Sequence, residues 1–123
     1  MKLLNDFYII LDSKSTENGI SVMVKIDKNH SIFQGHFPNH PVTPGVCTMQ
    51  IIKELSEKHF GKELMLKTAR NVKFMAIINP EENEEVRFDL SFEPVEEGEI
   101  SIKAMVLMDE NPALKFGGNF KEI

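Results

Sequence analysis

The chain reads as an α+β domain in which one long helix is wrapped by a curved antiparallel sheet. Three observations predict this. First, residues 19–27, 86–92 and 100–106 alternate apolar and polar with a period of two, the pattern of half-buried strands. Second, a single apolar run beginning at Val46 is long enough for a buried helix. Third, the rest of the chain falls into strands separated by hairpin signals, which favours a helix packed on one face of an antiparallel sheet.

In chain order, Phe7 to Leu11 is a short apolar strand. Gly19 to Asp27 follows, with Ile20, Val22, Val24 and Ile26 on one face. The segment Gly35-His36-Phe37-Pro38-Asn39-His40-Pro41-Val42-Thr43-Pro44-Gly45 then sets three prolines and two glycines around histidine. The helix starts there. Thr43 is the expected N-cap, Pro44 suits the first turn because a missing N–H costs nothing there, and Gly61 suits the stop. Val46 to Ile52 is apolar on most sides, so the first half of the helix should be buried, and from Lys53 to Lys58 it turns amphipathic. Leu64 to Ile78 is one bent strand or two, and Glu81-Glu82-Asn83-Glu84-Glu85 is a solvated turn after Pro80. Val86, Phe88, Leu90 and Phe92 alternate with polar residues, as do Ile100, Ile102, Ala104 and Val106 after a Glu97-Gly98 turn. Asn111-Pro112 marks a further turn, and Leu114 to Phe120 closes the sheet.

Composition narrows the class. The 123 residues make one domain, 1–123, with 41% hydrophobic and 27% charged residues, as in an ordinary globular protein. No apolar run approaches the roughly 18 residues of a membrane span, and Met1 to Asp6 makes a poor signal peptide. A lone cysteine, Cys47, forms no internal disulfide and points to a reducing cytoplasm. A net charge of −5 without an arginine-rich tail disfavours nucleic acid as a partner.

The run His36 to Val46, His-Phe-Pro-x-x-Pro-Val-x-Pro-Gly-Val, resembles the signature of the hotdog-fold 3-hydroxyacyl-[acyl-carrier-protein] dehydratases, most closely the FabZ type. Phe33-Gln34-Gly35 before it fits that family, as do Asn71-Val72-Lys73-Phe74 and Ile77-Ile78-Asn79-Pro80 after it. The resemblance implies a hotdog fold, no cofactor, and dehydration of a 3-hydroxyacyl thioester to the trans-2-enoyl thioester in fatty acid or related acyl-chain biosynthesis. It implies that His36 takes the α-proton and that the backbone at Gly45 and Val46 holds the developing oxyanion. It also implies that an acid fourteen residues after the histidine, offered across a dimer interface, protonates the leaving hydroxyl. Here that position is Gln50.

The chemistry fits the residue types. Removing an α-proton needs a base of suitable pKa and a donor for the enolate oxygen. A helix N-terminus supplies donors, and Gly45 has no side chain to block a thioester carbonyl. Gln50 departs from the pattern, because an amide hydrogen-bonds a hydroxyl or a water but does not usefully give up a proton. Three outcomes follow: a water held by Gln50 supplies the proton, another carboxyl takes over, or the site binds acyl chains without dehydrating them. Glu54, one turn on, is the rescue candidate. Against that role, Gln50, Lys53, Glu54, Glu57 and Lys58 form one polar stripe facing solvent.

Elsewhere, Cys47 reads as core. Phe33, Phe37, Pro44, Phe74 and Met75 are candidates for the acyl-binding surface or plain core. Lys67, Arg70 and Lys73, every third residue, are weak candidates for docking an acidic carrier protein. They do not share one face of a regular strand, and edge-strand lysines that discourage aggregation are an equal reading. His30, His36 and His40 lack the companions of a zinc site, so no metal is expected. The expected partners are an acyl thioester on acyl carrier protein or coenzyme A, and a second copy in a homodimer or trimer of dimers. Alternatives are a heterodimer with an acid-bearing homologue, in which this chain is a non-catalytic or partner subunit of a composite site, and a hotdog thioesterase.

Overall fold

The computed structural model describes residues 2–34 and 42–123. Six strands form one antiparallel sheet: β1 (Tyr8–Ser15), β2 (Gly19–Ile26), β3 (Leu64–Phe74), β4 (Glu85–Glu96), β5 (Glu99–Met108) and β6 (Asn111–Glu122). Their spatial order is β1-β2-β4-β5-β6-β3, so the first strand and the strand after the helix are the two edges. A short 3-10 turn (Ser31–Phe33) precedes α1 (Gly45–Phe60), the one α-helix among the described residues. This is the helix-in-sheet α+β arrangement expected from the alternation.

The period-two faces meet the helix as expected. Val22, Val24, Val86, Phe88, Ile102, Val106 and Leu114 are buried on the sheet, and Cys47, Ile51, Ile52 and Leu55 on α1. Each such aliphatic side chain withdrawn from water contributes about 1.5–3 kcal/mol before chain entropy is counted. Gly61 ends α1 in the left-handed conformation, with φ 66° and ψ 32°. Its N–H and that of Lys62 both donate to Glu57 O. Lys58 and His59 in the last turn suit the negative end of the helix dipole.

Four expectations are corrected. The first strand runs on to Ser15 through a bulge between Ile10 and Asp12, because Asp12 to Ser15 lie on an exposed edge where no apolar pattern is needed. The β5–β6 hairpin turns at Asp109 and Glu110, both at positive φ (47° and 67°), rather than at Asn111-Pro112. Asn111 and Pro112 already belong to β6. Pro112 sits past the last β3–β6 pair, Phe74 with Leu114, and where the β5–β6 register slips, so its missing N–H breaks little. Val46 is exposed, so the buried half of the helix starts at Cys47. Finally, Thr43 does not cap the helix. Pro44 is the N-cap, no side chain caps it, and the Thr43 hydroxyl is buried without a hydrogen-bond partner.

Candidate functional site

The sequence points to the start of α1, and the structure builds that region from two directions. Pro44 O accepts the first intrahelical bonds, from the N–H groups of Cys47 at 2.9 Å and Thr48 at 3.2 Å. Gly45 and Val46 come before those bonds, so their N–H groups have no acceptor within the helix and carry the positive end of its dipole. From the other side, Thr43 N–H donates to Ile78 O at 2.9 Å, which ties the end of the proline-rich segment to the chain leaving β3. Phe74, the last residue of β3, lays its ring against Gly45. A Cβ built at position 45 would stand 2.6 Å from Phe74 Cζ and 2.8 Å from Cε1. Glycine therefore leaves room for the ring as well as for access, and Phe74 stays half exposed beside these N–H groups.

His36 and Phe37 lie outside the described residues. Phe33 is buried in the core against Phe7, with ring centroids 5.4 Å apart. Cys47 is buried, as expected, and burial pushes its thiol pKa up, away from nucleophilic use. Among the described residues, no cluster of His, Cys, Asp and Glu is arranged to hold a metal ion.

One turn into the helix, the expected polar stripe is corrected. Glu54 is buried and is the meeting point of four donors. Its Oε2 accepts from Leu3 N–H at 2.7 Å and from Gln50 Nε2 at 2.9 Å. Its Oε1 accepts from Leu4 N–H at 2.8 Å and from the Tyr8 hydroxyl at 3.0 Å. The N-terminal residues Leu3 and Leu4 thus fold across this helix face and close it to solvent. Burial, and then the negative charge of Glu54, hold the Tyr8 hydroxyl well above the usual tyrosine range. Sequence reasoning missed this cluster because Glu54 is 46 to 51 positions from Tyr8, Leu4 and Leu3. The one local signal was the apolar pair Leu3-Leu4, set ahead of the first strand and in need of a surface to cover.

The basic residues of β3 are also placed differently from a regular strand. The β3–β6 register slips between Leu66 and Thr68 and again between Ala69 and Asn71. Each slip leaves one extra residue, Lys67 and then Arg70, so a spacing of three becomes one face. Lys67 Nζ lies 2.6 Å from Glu99 Oε1, and Arg70 bonds Ser101 and Asn119. These partners alternate with the core-facing Ile100, Ile102 and Phe120, so they mark the outer face of the sheet. Arg70 and Lys73 line one groove of about 880 Å³ there, together with Lys103 and Lys115 and with Asp89 and Glu93. Lys67 holds Glu99 below the usual carboxylate range through their hydrogen bond, and its own pKa is raised in return.

Among the described residues no strand pairs with the outer side of β3, and the apolar side chains around it are exposed. Met65, Leu66, Val72, Phe74, Met75 and Ile77 are all accessible, as is Val46 on the first turn of α1.

Comparison with known proteins follows the same lines. The ApeI-like family, described as ApeI dehydratase, matches residues 12–106. The chain is 30% identical over 118 residues to the 3-hydroxyacyl-[acyl-carrier-protein] dehydratase FabZ of Lactiplantibacillus plantarum, covering 86% of this chain and 80% of that protein. It is 34% identical over 86 residues to the FabZ dehydratase of Rickettsia rickettsii, covering 63% of this chain and 57% of that protein. Among solved structures, it superposes on a chain of the dehydratase heterocomplex ApeI:P from Xenorhabdus doucetiae with a TM-score of 0.73 at 14% identity, covering 92% of this chain and 96% of that one. A hypothetical thioesterase with coenzyme A from Streptococcus pneumoniae gives 0.67 at 8% identity, over 94% and 85%. The last two likenesses establish the hotdog fold.

Proposed function

The chain belongs to the ApeI-like dehydratase family, and from that premise we propose that it acts on a 3-hydroxyacyl thioester, converting it to the trans-2-enoyl thioester and water. Its function is dehydratase-like. The observation that carries the finer reading is the start of α1, where the N–H groups of Gly45 and Val46 have no helical acceptor and Phe74 lies beside them. A thioester carbonyl seated there gains donors as it takes on enolate charge. His36 removes the α-proton, the C3–O bond breaks, the C2–C3 double bond forms, and the hydroxyl leaves as water once it is protonated. Gln50, in the acid position of the resembled signature, does not supply that proton but holds a water that passes one to the leaving hydroxyl and recovers one from the imidazolium of His36. Loss of a general acid lowers the rate about 10²- to 10⁴-fold, so slow turnover is expected.

A second reading is favoured by the open apolar edge at β3 together with Gln50. The chain forms half of a composite site, docking through that edge on a homologue that carries a carboxyl. An edge-to-edge dimer would cover Val72, Phe74 and Ile77, whether the partner is a second copy or a homologue. The outer-face groove, with four cations to two carboxylates, suits an acidic carrier protein.

The test is interconversion of 3-hydroxyacyl and trans-2-enoyl carrier-protein thioesters by the purified chain, beside His36→Ala. Slow turnover abolished by His36→Ala supports the first reading. Turnover only after mixing with an acid-bearing homologue supports the second. Release of free acid and carrier thiol overturns both.

A further inference from the structure

We infer that the outer face of the sheet carries an anion site centred on Gly117, and that its ligand is a phosphate group, as the free ion or as the phosphate monoester of a small organic molecule. The site lies on the face away from the core and is independent of the reading given to the start of α1.

The sheet register sets the site out. Lys103, Gly117 and Asn71 stand in one row across β5, β6 and β3. In the next row Lys115 and Lys73 are direct cross-strand partners, and Lys103 is the diagonal neighbour of Lys115, which pairs with Met105. Directly opposed side chains stand about 5 Å apart at Cβ and diagonal ones about 7–8 Å, so three lysine side chains can converge above Gly117. Arg70, set out by its bulge, closes the other side through bonds to Ser101 and Asn119.

The positive charge of this cup is uncompensated. Lys67 has Glu99 at 2.6 Å and Arg87 has Asp89 and Glu110, but Lys73, Lys103 and Lys115 form no ion pair among the described residues. Arg70 bonds neutral side chains only. Like charges directly opposite each other, as at Lys73 and Lys115, destabilise a sheet. Protection of an exposed edge does not account for them, because β5 and β6 are interior strands. Of the two carboxylates lining the groove, Asp89 is occupied by Ser21 at 2.6 Å and Arg87 at 3.2 Å. That leaves Glu93, diagonal to Lys103, as the opposing charge.

Gly117 is the second observation. Its φ is not positive, and a Cβ built there would come no nearer than 3.9 Å to Asn71 Cβ and Nδ2. Neither the backbone conformation nor the packing asks for glycine. Gly118 beside it is the contrary case, since its Cβ would stand 2.7 Å from Thr68 O. A glycine inside a strand weakens it, and one the fold does not need marks a place where a ligand approaches the backbone closely. The empty floor is ringed by Lys73, Lys103, Lys115, Arg70 and the Asn71 amide nitrogen. Donors on several sides of a shallow floor suit a compact tetrahedral oxyanion with an acceptor oxygen for each. Carboxylates of an acidic protein arrive on stems and have no need of that floor. The groove of about 880 Å³ has room for the rest of a small phosphorylated molecule.

The experiment titrates the full chain with sodium phosphate near pH 8, where phosphate is largely dianionic, and follows backbone amides by NMR beside sodium chloride at matched ionic strength. Phosphate should shift the amides of Lys73, Lys103, Lys115 and Gly117 saturably, and chloride should not. Lys115→Gln should weaken binding by about tenfold or more, the worth of one charged hydrogen bond. Gly117→Ala, which changes no charge, should weaken it by a similar factor, and Glu93→Gln should tighten it. Glycerol 3-phosphate should bind where glycerol does not. Affinity above that of inorganic phosphate identifies a phosphorylated organic ligand and lower affinity the free ion, and either result supports the site. Shifts that chloride reproduces, or an affinity that Gly117→Ala leaves unchanged, would overturn it. Polyglutamate that binds more tightly than phosphate and is indifferent to Gly117→Ala would also overturn it, in favour of a docking surface for an acidic protein. If Gly117→Ala does not fold, Lys73→Gln decides together with Lys115→Gln. Losses of similar size in both support one shared site, and unchanged affinity in either overturns it.

Discussion

Replacing Gln50 by glutamate tests the Gln50–Glu54 pair most directly, since it changes one amide nitrogen to oxygen. The two atoms now stand 2.9 Å apart as donor and acceptor. After the change they are two carboxyl oxygens. With both groups ionised and their charge centres about 4 Å apart, repulsion at an effective dielectric of about 20 amounts to roughly 4 kcal/mol. The pair escapes by keeping one proton, which makes a strong O–H···O⁻ bond. The introduced carboxyl thus has a folded-state pKa raised above its unfolded value of about 4.3. The sign follows from that direction. Folded chains bind the extra proton, so stability matches the native chain below about pH 4 and is lost as pH rises through the folded-state value. Urea denaturation at fixed protein concentration should find the variant within about 1 kcal/mol of the native chain near pH 5 and weaker by up to about 4 kcal/mol near pH 9. A stability difference that does not vary with pH would refute the placement of these two side chains. The same retained proton near neutrality makes a usable general acid, so dehydration should rise toward the 10²- to 10⁴-fold that an acid supplies, falling again at alkaline pH.

Three further outcomes are expected. Gly45→Ala should leave stability within about 1 kcal/mol, since alanine is the better helix former and the Phe74 ring can swing outward, yet it should depress turnover; pairing it with Phe74→Ala should return part of the loss in a steady-state assay. Thr43→Val should stabilise the fold by about 1 kcal/mol in thermal melts, because the Thr43 hydroxyl is buried without a partner, whereas a capping hydroxyl would cost about that much to remove. Tyr8→Phe should cost about 1.5–3 kcal/mol at pH 7, the worth of a bond to a charged acceptor. Because the Tyr8 pKa is raised in the fold, its contribution is complete below about pH 10 and is lost above it, so the variant should lose less stability than the native chain between pH 10 and 11.5.

Much of the fold was legible because strands of period two announce themselves. Ile20 to Ile26, Val86 to Leu90 and Ile102 to Val106 bury the residues that alternation selects. What was not legible depends on contacts between distant segments. Glu54 sits on a helix face that reads as polar, and only the N-terminal Leu3 and Leu4 turn that face into an interior. Lys67 and Arg70 look misaligned until two bulges, absent from any propensity, bring them to one side. Thr43 carries the composition of a cap, but its hydroxyl is buried with no partner and the helix starts after Pro44. At the candidate site, the motif marked the helix start near Gly45, whose role came with the resemblance. It did not indicate that Phe74 fills the space that a side chain at position 45 would need.

The identity of residue 50 cannot be judged apart from residue 54. A carboxylate at 54 and an amide at 50 are complementary in polarity, acceptor to donor. A carboxyl at 50 with an amide at 54 would be complementary too, in the opposite sense. Changing either residue singly leaves two acceptors facing each other or forces an amide to turn over. In the double exchange, the new amide oxygen at 54 would still accept from Leu4 and Tyr8, and its NH₂ would donate to position 50. Only Leu3 N–H, now bonded to Oε2, would face a donor, at a cost of about 1–3 kcal/mol. Gln50→Glu with Glu54→Gln should therefore lose the alkaline weakness of the single variant while keeping a carboxyl in the acid position. If the double variant were as pH-sensitive as Gln50→Glu alone, repulsion from Glu54 would not be the cause. The departure at position 50 would then have to be read as a change in one residue rather than as one half of an exchanged pair.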